Sequence, residues 1–266
     1  MNSIDADQLL EDSEFLSLSS PWEMLIQSTQ PGEPLSALTV HFVGFESMGF
    51  GRFSRNILAG KSSHRRLESS LSYRQAEFAF GRLAARHALT RFSRALSDTS
   101  VPTGDNREPL WPDGILGSIT HISGLTGAAV VPKGPWRYLG IDIEQTALGN
   151  AQRALRTLVI DSAEFALLNH VCEEAHQPSL ARYVTHVFSA KECLFKAAFP
   201  SVRRFFGFSA AQLCGFKLLS GGRGPEARLT LEIVQGVGGE FITGSRWCIE
   251  VWRLPTSDTY LSVLAY

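Results

Sequence analysis

Apolar positions recur along this chain with a period of two in some stretches and near 3.6 in others. Leu38-Thr39-Val40-His41-Phe42-Val43 alternates, which predicts a strand. From Lys61 to about Arg94 the composition turns helical, and Phe78, Leu83, Leu89 and several alanines between Tyr73 and Leu89 predict an amphipathic helix carrying Arg74, Arg82 and Arg86. Between them, Gly44 to Gly60 reads as an irregular loop with Phe45, Phe50 and Phe53 among glycines. Residues 97–114 form a turn-rich connection broken by Pro102, Gly104, Pro109, Pro112 and Gly114. An apolar strand is predicted at Ala128 to Val131, and the Pro-Lys-Gly-Pro turn at 132–135 predicts a hairpin with Tyr138 to Ile143. Residues 150–170 read as helical, with Asp161 and Glu164 as a capping pair for a helix reaching His170, and residues 179–198 as another helix. Strands at 215–218, 227–234, 247–254 and 260–265 follow, separated by Gly-rich turns. Both halves therefore read as helices with a small antiparallel sheet, an α+β class.

Composition adds little to that class and charge adds more. Apolar content is 44% and charged content 19%, as in ordinary globular proteins, and a net charge of −1 carries no global signature of a nucleic-acid binder. The charge is unevenly placed, with eight Asp or Glu and no Lys or Arg in the first 51 residues. Residues 55–94 then hold nine Lys or Arg against Glu68 and Glu77, a basic field suited to an anionic ligand or an acidic protein. Residues 1–36, acidic and Ser-rich, read as an N-terminal arm with at most a short helix. Cys172, Cys193, Cys214 and Cys248 are scattered without zinc-ligand spacing, which points to a reducing compartment. With no signal-peptide pattern and no long apolar run, a cytoplasmic location and no membrane partner are expected.

Two short runs carry the chemistry. In Gly140-Ile141-Asp142-Ile143-Glu144 the period of a strand sends both carboxylates to one face. Neighbouring carboxylates repel unless a cation lies between them, and a hard divalent ion such as Mg²⁺ takes oxygen ligands of this kind. In Phe188-Ser189-Ala190-Lys191-Glu192-Cys193-Leu194-Phe195-Lys196-Ala197, Glu192 and Lys196 share one helix face with Lys191 beside them. Taken alone, these runs fit equally well a solvated strand face and a surface ion-pair lattice. Arg74 and Arg82, and the end of a loop at Ser118-Ile119-Thr120-His121, widen the set, since hydroxyls and imidazole there could all donate to one phosphate. No Gly-x-x-x-x-Gly-Lys-Ser/Thr loop is present, which disfavours an ordinary P-loop nucleotidase.

In order and spacing these runs resemble the 4′-phosphopantetheinyl transferases, in the larger Sfp-type class and its enterobactin-synthase-like subgroup. The matching stretches are Arg74-Gln75-Ala76-Glu77-Phe78 with Gly81-Arg82-Leu83-Ala84-Ala85, Arg107 to His121 (which includes Trp111-Pro112 and Gly117-Ser118-Ile119-Thr120-His121), Gly140 to Glu144, and Phe188 to Ala197. They span about residues 70 to 210. The resemblance implies a monomer of two similar α+β halves in pseudo-twofold arrangement, 37–138 and 139–266 after the 1–36 arm, with a coenzyme A site between them. It implies Asp142, Glu144 and Glu192 as ligands of Mg²⁺, with Mn²⁺ suited to the same oxygens. It assigns Arg74, Arg82, Thr120 and His121 to coenzyme A phosphates, Glu108 and Pro109 to a backbone lying against the adenine, and Lys191 and Lys196 to phosphate contacts. Glu192 would also be the general base for a carrier-protein serine, so that Asp142, Glu192 and Lys196 form the catalytic group.

Two departures stand out. Some members carry a lysine where this chain has Thr103-Gly104-Asp105-Asn106, and Cys193 takes a place usually held by Ser or Ala, which reads as packing. The implied reaction moves the 4′-phosphopantetheine arm of coenzyme A to a serine of an acyl or peptidyl carrier protein and releases adenosine 3′,5′-bisphosphate. The carrier could serve fatty-acid, polyketide, siderophore or nonribosomal peptide synthesis. Two other readings stand beside it: a Mg²⁺-dependent phosphodiesterase acting on coenzyme A, and a non-catalytic regulator that binds coenzyme A or a carrier.

Overall fold

A computed structural model of the chain describes residues 16–17, 19–27, 37–46, 68–175, 179–219, 224–255 and 258–266. These form two compact units, the first ending at Pro132 and the second beginning at Lys133, a few residues before the boundary expected at 138/139. Each unit is a sheet with helices packed on it.

In the first unit the sheet order is β1 (Ser19–Gln27), β2 (Ala37–Phe45), β4 (Leu125–Pro132), β3 (Ile115–Ile122). β2 and β3 both run antiparallel to β4. Helix α1 (Glu68–Phe92) packs across β4, β2 and β3. Its buried positions Ala76, Ala79, Phe80, Leu83, Ala84, Ala88 and Leu89 recur at helical spacing, and the alanines let the helix approach the sheet closely. Phe80 stacks on Phe45 at 4.5 Å, and the buried Thr126 hydroxyl donates to the Phe80 carbonyl at 3.1 Å. Burial of a large side chain such as Phe80 or Leu83 stabilises by roughly 1.5–3 kcal/mol.

The second unit begins with β5 (Leu139–Gln145), followed by α2 (Gly149–Val159), α3 (Ser162–Glu174) and α4 (Leu180–Val202). β6 (Ala211–Leu218), β7 (Ala227–Ile233), β8 (Arg246–Arg253) and β9 (Thr259–Ala265) complete it. The sheet order is β5-β9-β8-β7-β6, antiparallel throughout. α4 lies on β5, β9 and β8 through Val184, Val187, Ala190, Leu194 and Ala197. Helices and two antiparallel sheets make the class α+β. Among the described residues no helix is long and apolar enough to cross a membrane.

Several expectations are corrected. β4 pairs with β3 through a two-residue connection at Ser123 and Gly124, and β5 pairs with β9 in the other sheet, so the hairpin between 128–131 and 138–143 does not form. The Pro-Lys-Gly-Pro turn straddles the boundary at Pro132 and Lys133, and the true partner of β5 is more than a hundred residues away, beyond any local signal. Residues 19–27, placed in an arm, form a strand whose Trp22 stacks on Phe42 at 4.1 Å. The acidic, Ser-rich surroundings hid that short apolar run. The helix read across 150–170 is two helices, divided at Ile160 and Asp161. The remaining arm at 1–15 and 28–36, the loop at 47–60 and the helical start at 61–67 lie outside the described residues.

Candidate active site

The contact between α4 and β5 is set by backbone. A methyl on Gly140 would collide with the Cys193 carbonyl and come within 3.0 Å of Ala197, so this position needs glycine for close approach. The Cys193 thiol sits 3.1 Å from the Gly140 carbonyl as donor, and burial pushes its pKa well up, which leaves it a packing group. Gly140, Cys193 and Ala197 therefore dock the helix at a fixed height above the strand.

That docking brings the acidic residues together. Ser189, Glu192 and Lys196 recur at helical spacing, which turns them toward one side of α4. Asp142, 4% exposed, accepts from Lys196 Nζ at 2.6 Å on Oδ1 and from Ser189 Oγ at 2.8 Å on Oδ2. Glu144, two residues along the same strand face, has its pKa pushed up to about 8 by burial and then by Asp142 and Glu192, with Lys196 opposing. Glu192 is shifted up as well, by burial first and then by Asp142, again opposed by Lys196. Three carboxylates share one field with a single lysine among them.

The donor set is all oxygen, and its carboxylates raise one another's pKa beyond what Lys196 offsets, which is the chemistry a hard divalent ion fits. Among the described residues no three such side chains stand in a metal-holding arrangement, and the Lys196 ammonium lies against Asp142.

Lys191 has a different environment from the one expected for a phosphate contact. Its ammonium is 2.7 Å from Glu164 Oε1 and donates to the Val159 carbonyl at 2.8 Å, with both side chains of the pair buried. Beside it, a pocket of about 260 Å³ is lined by Glu192, Phe195, Phe205, Phe206 and Phe208, with Lys191 at its wall. The Phe-rich run after α4 was the available signal for this pocket, and its direction was not legible. Ser189 and Glu164 are the other residues that sequence reasoning missed. In the sequence Ser189 carries no role of its own, and Glu164 reads only as a cap.

The basic candidates lie in the first unit. Arg74 is exposed on α1. Arg82 is largely buried, its guanidinium 4.7 Å over the Phe78 ring and its Nη2 donating to Thr103 Oγ1 at 3.0 Å. Thr103 thus orients Arg82. The loop holding Glu108 and Pro109 is tied by Gly104 N–H to Glu108 carbonyl at 2.8 Å and Leu110 N–H to Pro102 carbonyl at 2.9 Å. The Glu108 carboxylate accepts from the Asn106 N–H at 2.9 Å, so its side chain closes its own loop. A methyl on Gly117 would collide with the Trp111 indole, which explains the joint presence of that Trp and Gly.

On β3, Thr120 is buried at 1% while the His121 side chain is 51% exposed, with Nδ1 at 3.8 Å from Glu77 Oε2. Successive strand residues face opposite sides. The expectation that Ser118, Thr120 and His121 converge on one phosphate is therefore corrected: the two hydroxyls share a face and the imidazole leaves from the other.

Comparison with known proteins agrees with the pattern of these runs. Residues 63–131 match the 4′-phosphopantetheinyl transferase N-terminal domain, and residues 138–227 match the 4′-phosphopantetheinyl transferase superfamily. The chain is 35% identical over 184 residues to enterobactin synthase component D of Salmonella typhimurium, covering 68% of this chain and 70% of that protein. It is 33% identical over 148 residues to the 4′-phosphopantetheinyl transferase PptT of Mycobacterium tuberculosis, covering 54% and 60%. To the 4′-phosphopantetheinyl transferase Npt of Nocardia iowensis it is 29% identical over 179 residues, covering 66% and 74%.

Proposed function

The chain belongs to the 4′-phosphopantetheinyl transferase superfamily, and from that premise we propose how its own residues carry the reaction. It is an enzyme that transfers the 4′-phosphopantetheine moiety of coenzyme A to a serine of a carrier protein. The serine oxygen forms a bond to the pantetheine-side phosphorus, the phosphoanhydride breaks, and adenosine 3′,5′-bisphosphate leaves. Glu192 takes the serine proton, and burial together with the Asp142 carboxylate raises its proton affinity above that of an ordinary carboxylate. The observation that carries this reading is Asp142, paired with Lys196 at 2.6 Å and coupled through space to Glu144 and Glu192.

Asp142, Glu144 and Glu192 would hold Mg²⁺, which offsets charge on the phosphoanhydride oxygens when bound. Lys196, which donates to Asp142 at 2.6 Å, turns to a phosphate oxygen of bound coenzyme A. Arg74, Arg82 and His121 bind phosphate oxygens of coenzyme A, with Thr120 beside His121 on β3. Glu108 and Pro109 offer a tied backbone edge to the adenine. The partner is an acyl or peptidyl carrier, and the naming of the enterobactin relatives favours siderophore assembly. A cytoplasmic location fits four cysteines that form no disulfide.

The test is release of adenosine 3′,5′-bisphosphate from coenzyme A, followed by chromatography with and without an apo carrier. Release that requires the carrier supports the transferase. Equal release without it makes the protein a phosphodiesterase, and binding without release makes it a regulator.

A further inference from the structure

Glu164 ties three elements directly and a fourth through Lys191. Its Oε2 accepts from the Asp161 N–H at 2.8 Å and closes the capping box of α3. Its Oε1 accepts from the Leu213 N–H of β6 at 2.7 Å and lies 2.7 Å from the Lys191 ammonium of α4. Lys191 in turn donates at 2.8 Å to the carbonyl of Val159, the last residue of α2. A carboxylate at the start of one helix and an ammonium at the end of another each oppose the local helix dipole, so the pair is favoured at both ends. With the Glu164 side chain 1% and the Lys191 side chain 3% exposed, neither charge has water to fall back on.

Lys191 immediately precedes Glu192, and consecutive helix residues are about 100° apart around the axis. Fixing the direction of Lys191 therefore fixes that of Glu192, which lines the pocket and shares the field of Asp142. We propose that Glu164 is a positioning residue for the transfer reaction: by holding Lys191 at the junction of α2, α3 and β6 it sets the rotation of α4 that aims Glu192, and Lys191 itself contacts no phosphate. This rests on the transferase reading above. Drawing the ammonium away to a phosphate would leave the Glu164 carboxylate buried without its cation, which the geometry opposes.

The experiment compares wild-type chain with E164Q, K191M and the double variant E164Q/K191M, measuring kcat and KM for coenzyme A at saturating apo carrier, with thermal melting alongside. Both single variants are expected to lower kcat about tenfold or more while KM changes less than about twofold, because a small misaiming of the base costs rate and not binding. The double variant is expected to be no slower than the slower single one, since the pair acts as a unit. A K191M variant whose KM rises about tenfold or more while that of E164Q stays put would make Lys191 a phosphate ligand and overturn the proposal. Wild-type kcat in both single variants despite lowered melting would reduce the pair to a structural role and also overturn it. Should E164Q not fold, E164Q/K191M carries no uncompensated charge and answers alone: lowered kcat at unchanged KM supports the proposal, and wild-type kcat overturns it. Absence of transfer by the wild-type chain would overturn both the transferase reading and this one, whereas the other contrary results leave the first intact.

Discussion

Replacing Gly140 by alanine puts a methyl into the space of the Cys193 carbonyl and within 3.0 Å of the Ala197 Cβ and N. The obstacle is helix backbone, which cannot rotate away as a side chain would, so α4 must lift from β5. Overpacking of this kind costs about 1–3 kcal/mol. Lifting α4 also stretches the 2.8 Å bond from Ser189 to Asp142, and a hydrogen bond to a charged group contributes about 1.5–3 kcal/mol. A loss of at least about 2 kcal/mol follows, which at a urea m-value of about 3 kcal/mol/M moves the unfolding midpoint down by about 0.7 M. Gly224 has open space at its Cβ position and no positive φ, so Gly224→Ala is the control and should stay within about 0.5 kcal/mol of wild type. The assay is urea unfolding followed by tryptophan fluorescence, with transfer rates measured on the folded protein. Gly140→Ala unfolding at the wild-type midpoint with undiminished transfer would refute the claim that this contact sets the height of α4.

Ser189→Ala removes the hydroxyl that donates to Asp142 Oδ2 and should cost about 1–3 kcal/mol in the same urea assay, with slower transfer. Lys196→Met removes the cation from a largely buried carboxylate and should destabilise the chain by about 3 kcal/mol at neutral pH. For Glu144 the folded pKa of about 8 lies above the ordinary 4.5, so between these values the folded state holds the extra proton. Metal-free stability contributed by this group is therefore complete below about pH 4.5 and declines as pH rises toward 8, and Glu144→Gln should flatten that decline in chelator-treated protein.

Local physics made much of this molecule legible. α1, α4 and the C-terminal strands followed from periodicity, because each buries one face against a neighbour. The Asp161–Glu164 cap formed as its spacing indicates. The placement of Asp142 and Glu144 on one strand face came from the pleat alone. What failed was long-range or three-dimensional. The partner of β5 is β9, which no local turn announces. Lys191 and Lys196 look alike in the motif, yet one ends in a buried pair with Glu164 and the other on Asp142. Thr120 and His121 are adjacent in sequence and opposite in space, a consequence of their strand that reading them as a loop end concealed.

The central claim is tested most directly by the intact mass of an apo carrier protein incubated with this chain, coenzyme A and Mg²⁺. The account predicts a gain of one phosphopantetheine arm on the carrier, lost on chelation and lost with Asp142→Ala or Glu192→Gln, the latter still binding coenzyme A. An unchanged carrier mass across fatty-acid and peptide carriers, or full modification by Glu192→Gln, would contradict it.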